Sequence, residues 1–169
     1  MIINKSGGTA SSQGKTCRVT LPNSWTEQMG LDEKSREVEL CFDGTKITVR
    51  KKQTLLEYQT AHKHHRLLQL KFYHRDTLCT TILADETDKH VRIENHTNQP
   101  LYTAFGVREH PDWQDYCAFL EERCIPKSRA GLREYLSAIG VAEYNPLEII
   151  RKTQGRMAED SAWLEVTEL

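Results

Sequence analysis

The residues whose type and position suggest specific chemistry are the basic side chains in the first third of the chain. Residues 1–52 contain nine basic and six acidic residues, whereas the rest of the chain carries net negative charge. Ammonium and guanidinium groups neutralise phosphates, and an arginine can also donate paired hydrogen bonds to a guanine edge. Arg18 is a strong candidate, because it lies on the polar face of a predicted strand beside a glycine- and serine-rich loop. This region therefore predicts a DNA-facing surface. Ordinary solvated surface is the alternative, and we favour it for Lys34, Lys46 and Lys52.

Three other kinds of site are disfavoured by residue spacing. The Gly-Lys-Thr run at 14–16 ends like a phosphate-binding loop, but five residues separate it from Gly8, where the motif requires four. The histidines clustered at 62–65 lack the paired ligand spacing of a zinc site, and a polar linker surface is the simpler interpretation. No nucleophile–base arrangement is recognisable in the sequence. We therefore expect no metal site, no cofactor and no enzymatic activity.

The front elements that would position these basic residues follow from local patterns. Apolar residues alternate at Cys17, Val19 and Leu21, which predicts a half-buried strand at residues 16–21. Asn23 or Ser24 is then expected to cap a short helix. The predicted elements are that strand, a helix at 25–29 ending at Gly30, and strands at 36–42 and 46–50 joined by an Asp43-Gly44 turn. We expect so small a unit to complete its core by pairing with a second copy.

The rest of the chain predicts a small α+β domain at 66–169, reached through a linker or short helix at 53–65. Alternating apolar residues predict a three-stranded antiparallel meander. Helical periodicity and capping residues then predict about three helices. The predicted strands are at 67–74, 77–84 and 90–94, the expected helix caps are Asp112, Ser128 and Asn145-Pro146, and a last strand is expected at 163–166.

Composition sets the broad class. With 169 residues, 38% hydrophobic, the chain is large enough for one ordinary domain or two small ones. Its five cysteines form no Cys-x-x-Cys pair, which indicates reduced thiols rather than a disulfide framework. No long apolar run suggests a membrane span or a signal peptide. We therefore expect a soluble, cytoplasmic protein.

The ordered set of motifs in residues 1–52 resembles the AbrB/MazE/SpoVT family of swapped-hairpin DNA-binding domains. The motifs are Lys5-Ser6-Gly7-Gly8, Arg18-Val19-Thr20-Leu21-Pro22, Trp25, Met29-Gly30-Leu31, and Val38-Glu39-Leu40 with Lys46-Ile47-Thr48-Val49-Arg50. The resemblance implies an intertwined homodimer in which two chains form a swapped-hairpin β-barrel. It also implies that Lys5, Lys15, Arg18 and Arg50 contact double-stranded DNA. The loop from Gly8 to Lys15 is longer than is usual in the family.

These observations predict a bacterial, sequence-specific DNA-binding protein that acts as a homodimeric transcriptional regulator. Two alternatives give residues 66–169 a protein partner. In the first, the protein is an antitoxin that binds a toxin through this C-terminal domain. In the second, it is a mobile-element inhibitor, similar to anti-CRISPR proteins, that binds a host nuclease and represses its own gene through residues 1–52.

Overall fold

The computed structural model describes residues 3–7, 15–33, 35–42 and 44–169, and its fold is mixed α+β. The chain divides into a front unit, Met1–Gln53, and a rear unit, Thr54–Leu169. The glycine- and serine-rich loop at 8–14 lies outside the described residues, as do Met1, Ile2 and the Asp43 of the predicted turn.

The front unit contains two antiparallel hairpins and one short helix. Its elements are β1 (Ile3–Gly7), β2 (Lys15–Val19), α1 (Asn23–Gln28), β3 (Val38–Phe42) and β4 (Ile47–Lys51). Strand β1 pairs with β2, and β3 pairs with β4. Within the described ranges each hairpin is a separate two-stranded sheet, and neither closes into a barrel.

The start of α1 differs from the prediction, whereas its end agrees. Pro22 is the N-cap residue and no side chain caps the helix, so the prediction of an Asn23 or Ser24 cap was wrong. Asn23 and Ser24 already belong to the first turn of the helix, so neither occupies the N-cap position. Gly30 terminates the helix with φ of 66°, and Leu31 N–H donates to the Thr26 carbonyl, as in a Schellman motif.

The rear unit is built on one antiparallel sheet with helices on both faces. Its elements are α2 (Leu55–Ala61), β5 (Leu67–His74), β6 (Thr77–Asp85), β7 (His90–Asn95), a 3₁₀ turn (Pro100–Tyr102), α3 (Trp113–Glu122), α4 (Leu132–Ala138), α5 (Pro146–Thr153) and β8 (Ala162–Glu168). The strand order is β7-β6-β5-β8. The expected three-stranded meander is therefore corrected to a four-stranded sheet, because the last strand pairs along the free edge of β5.

Local capping signals identified two of the three later helices. Asp112 and Asp115 form a reciprocal capping box at the start of α3. Asn145 accepts from the N–H groups of Leu147 and Glu148 with proline at the first helical position, which confirms the cap of α5. The Ser128 cap was wrong: α4 begins after Gly131, which has φ of 76° and provides no side-chain cap. Residues 126–131 form turns before the helix instead.

The main core lies on one sheet face, between the sheet and the later helices. Leu68 and Leu70 of β5 and Ile82 of β6 are fully buried there, packed with Ile149 and Ile150 of α5. The opposite face carries a smaller cluster under α2, formed by Tyr58, Leu67 and Leu83 with Leu55 against them. Alternation along β5 thus places consecutive residues in two different apolar clusters.

A buried arginine ties the C-terminal strand to α3. Arg123, at the end of α3, donates to the carbonyls of Gly155 and Ala162 and forms an ion pair with Asp160. Gly155 has φ of 57°, and a Cβ there would lie 3.3 Å from the Arg123 Cβ, so the close approach requires glycine. No helix of the described residues is long and apolar enough to span a membrane.

Candidate nucleic-acid interface

The β3–β4 hairpin has one apolar and one charged face. Alternate residues of a strand point to opposite faces, and directly opposed residues share a face. In the observed register, Leu40 is opposite Val49 and Phe42 is opposite Ile47, while Glu39 is opposite Arg50. The hairpin is thus amphipathic, which is the pattern of a strand pair that covers a core.

The apolar face of this hairpin is exposed. The exposed fractions are 70% for Leu40, 67% for Phe42 and 64% for Ile47, and Trp25 of α1 is 58% exposed. Of the front-unit side chains that the structure describes, none is buried. Fully burying a side chain of this size is worth about 1.5–3 kcal/mol. The front unit therefore presents apolar surface that a second protein surface would stabilise by covering it.

The charged face positions Arg50, one of the four expected DNA contacts. Arg50 is exposed and directly opposite Glu39, an arrangement in which opposite charges attract. On the same face, an ion pair joins Lys52 Nζ to Glu37 Oε2 at 2.8 Å, and this hydrogen bond lowers the pKa of Glu37. Both side chains of that pair are more than half exposed, so the pair contributes little to stability.

The other three expected contacts lie on the β1–β2 hairpin, where the structure describes the backbone alone. Lys5 is opposite Cys17, and Lys15 is opposite Gly7. Arg18 is opposite Asn4, and these two residues are the sequence neighbours of Cys17 and Lys5. The register therefore assigns Lys5 and Lys15 to one face of the hairpin and Arg18 to the other. Three of the four residues share a hairpin, and Arg50 belongs to the second one.

The rear unit contains a buried polar cluster that the sequence did not reveal. Asp85, at the end of β6, is fully buried. Its Oδ2 accepts hydrogen bonds from His65 Nδ1 at 2.7 Å and from the Tyr58 hydroxyl at 3.0 Å. Its Oδ1 accepts from the backbone N–H groups of Thr87 and Asp88. The sequence shows these acidic residues as a polar turn, and only the register of β6 places Asp85 inside.

The titration of this cluster follows from its hydrogen bonds. Burial by itself would raise the pKa of Asp85, but the hydrogen bonds from His65, Asp88, Tyr58 and Thr87 outweigh it and the pKa is lowered. The same hydrogen bond to Asp85 raises the pKa of His65. Burial and the adjacent carboxylate raise the pKa of Tyr58 to about 12. The cluster therefore holds an ionised carboxylate facing a histidine that favours its charged form.

Comparisons with known proteins leave the function to be inferred from the chain itself. No protein-family model, no curated protein and no solved structure matches this chain.

Proposed function

We propose that this chain is a homodimeric, sequence-specific DNA-binding protein that regulates transcription in a bacterium. The observation that carries the proposal is the amphipathic β3–β4 hairpin, which exposes Leu40, Phe42 and Ile47 on one face and Arg50 on the other. One face thus requires a protein surface, and the opposite face offers a cation to a polyanion.

A second copy of the front unit is the partner that best fits the apolar face. Two-fold symmetry brings the same patch of both chains together, so an apolar strand face is complementary to itself. Interleaved hairpins from two chains would form the swapped-hairpin barrel that the motifs of residues 1–52 suggest. None of the described side chains of one front unit is buried, so the hydrophobic core would lie between the front units of two chains.

DNA fits the charged positions because the dimer would duplicate them. Lys5, Lys15, Arg18 and Arg50 would each occur twice, related by the symmetry of a palindromic duplex site. The front unit carries a net charge of +3 over residues 1–52, so a dimer would present that excess twice. Phosphate contacts supply affinity, and an arginine that reaches a guanine edge adds sequence preference.

The rear unit is assigned to partner binding or sensing. Leu101 and Val107 are each 85% exposed in the segment before α3, and exposed apolar side chains in a loop favour a protein contact. This feature supports the alternative functions, in which the rear unit binds a toxin or a host nuclease while the front unit binds DNA. A pull-down with the full chain that recovers a toxin or nuclease would favour them over a simple regulator.

The proposal is tested by replacing Phe42 with aspartate. We expect the wild-type chain to be a dimer in light scattering and to retard duplex DNA from upstream of its own gene. Phe42→Asp is expected to be monomeric and to lose DNA binding, because a charge would be placed in the dimer core. Leu101→Asp is the matched control, since this leucine is also an exposed apolar side chain but lies in the rear unit. A monomeric wild-type chain would contradict the dimer, and failure to enrich any duplex from a random-sequence pool would contradict the DNA-binding function.

A further inference from the structure

Three side chains with metal-binding groups meet in the rear unit, where strand β5 begins and strand β6 ends. His65 precedes β5, while Asp85 and Asp88 lie at the turn between β6 and β7, and their ligand atoms all lie within 4.8 Å of one another. His65 Nδ1 is 2.7 Å from Asp85 Oδ2 and 3.8 Å from Asp88 Oδ2. Ligands about 2.0–2.1 Å from a tetrahedral zinc ion lie about 3.3 Å apart. The two His65 distances fall on either side of that value, and ligand atoms of the cluster lie up to 4.8 Å apart, so the exposed Asp88 side chain would have to move toward the other two ligands to create the geometry.

We propose that His65, Asp85 and Asp88 form a binding site for a divalent transition-metal ion of the zinc class. The ion would take the place of the proton that His65 Nδ1 shares with Asp85 Oδ2, and that proton would be released to solvent. The site would use one imidazole nitrogen and two carboxylate oxygens as protein ligands. A fourth position would be left for water or for an added ligand.

The buried ligand is already held in position by groups that the ion would not displace. Thr87 and Asp88 donate their backbone N–H groups to Asp85 Oδ1 at 2.9 and 3.1 Å, which fixes the plane of the carboxylate. The Tyr58 hydroxyl donates to Oδ2 from the α2 side. Such second-shell hydrogen bonds orient metal ligands. The carboxylate oxygen that faces His65 is therefore preorganised for binding.

The site is open on one side. The side chain of Asp88 is 57% exposed and that of His65 is 26% exposed, whereas Asp85 is fully buried. An ion can thus enter from solvent and meet a buried carboxylate, where charge interactions are less screened. An imidazole with two carboxylates favours zinc, cobalt or manganese over calcium and magnesium, which prefer oxygen ligands alone.

The neighbouring histidines do not account for this arrangement. His62 Nδ1 is 2.9 Å from the Tyr58 carbonyl, and its ring stacks on Tyr58. His64 is exposed and is not one of the three clustered ligands. The histidines at 62–65 therefore do not act as one chelating run, and the site joins His65 to carboxylates that lie 20 or more positions later in the sequence.

The test uses the untagged full-length chain, stripped of metal and titrated with Zn²⁺ by calorimetry and with Co²⁺ by visible absorption. We expect one ion per chain and a higher unfolding temperature with Zn²⁺, because binding favours the folded state. Asp88→Asn is expected to weaken binding by about tenfold or more, since second-shell changes alone can cost that much. His65→Gln should have a similar effect, and His64→Gln, the matched control, should leave affinity unchanged.

Asp88→Asn is the decisive variant, because Asp88 is largely exposed and its replacement should leave the fold intact by circular dichroism. Absence of Zn²⁺ binding to the wild-type chain would overturn the proposal. Unchanged affinity in a folded Asp88→Asn variant would overturn it as well. Loss of affinity in His64→Gln would equally overturn it, because it would indicate chelation by the histidine run.

Discussion

Arg50 lies directly opposite Glu39, so in the proposed DNA interface its attraction for phosphates should be opposed by its cross-strand neighbour. Arg50→Gln is expected to weaken DNA binding and to reduce the dependence of log K on log salt. Each phosphate contact contributes about 0.9 to that slope, so a dimer that loses two contacts should show a slope smaller by about 2. Fluorescence anisotropy over a salt series measures both effects.

Glu39→Gln is the matched control for Arg50, because it changes one charge on the same face with opposite sign. It should tighten binding by reducing repulsion of the phosphates and by releasing Arg50 from its opposed charge. Equal affinities and slopes for wild type and Arg50→Gln would remove Arg50 from the DNA interface. This opposition between two residues 11 positions apart depends on the strand register, so the basic residue was identifiable from sequence but its neighbour was not.

At the scale of the elements, local signals predicted what is locally determined. The strands at 67–74 and 77–84 follow from alternation, and the α5 start follows from Asn145-Pro146, because both signals depend on contacts within a few residues. The pairing of β5 with β8 depends on residues about 90 positions apart, such as Tyr73 and Trp163, and no local pattern specifies it.

The same distinction explains the polar sites. Nothing local to Asp85 distinguishes it from an exposed turn residue, since the carboxylate becomes buried only when β6 pairs in the sheet and Tyr58 of α2 covers it. His65 is brought to it from 20 positions earlier. The sequence alone shows a histidine run and an acidic turn, and folding brings His65 and the two aspartates into one cluster.

The contact between α3 and β8 predicts an acid-sensitive step in unfolding. The hydrogen bond from Arg123 holds the pKa of Asp160 below its usual range. Because Asp160 is more acidic in the folded chain than at about 3.9 when unfolded, its contribution is complete above that pH and is lost as pH falls through the folded pKa. Asp160→Asn should therefore lower stability near neutral pH by about 1 kcal/mol, because the carboxylate is partly exposed, and should flatten the acid limb of the stability profile.

Urea unfolding at several pH values, followed by tryptophan fluorescence, checks this expectation. Glu159→Gln is the matched control, because it removes the same charge from the adjacent exposed position. If the free energy of unfolding falls equally with decreasing pH in wild type and Asp160→Asn, the Arg123–Asp160 ion pair does not couple to protonation.

For the molecule as a whole, the two units should differ in what stabilises them. The buried residues of the described chain belong to the rear unit, whose sheet, helices and Arg123 contacts are all formed within residues 54–169. The described side chains of the front unit are at most half-buried. Stability that comes from association depends on protein concentration, whereas stability from an internal core does not.

We therefore expect two unfolding transitions in the full chain, and only the front-unit transition should depend on concentration. Trp25 reports on the front unit, whereas Trp113 and Trp163 report on the rear unit. The fluorescence change of a Trp25→Phe variant therefore comes from the rear unit alone. A tenfold dilution should destabilise the proposed front-unit dimer by about 1.4 kcal/mol and leave the rear transition in place. Residues 54–169 expressed alone should show that same rear transition, because the described members of both apolar clusters all lie within residues 54–169. One transition that shifts as a whole with concentration would mean that the two units fold as one, and a molten fragment would mean that the rear core depends on the front unit.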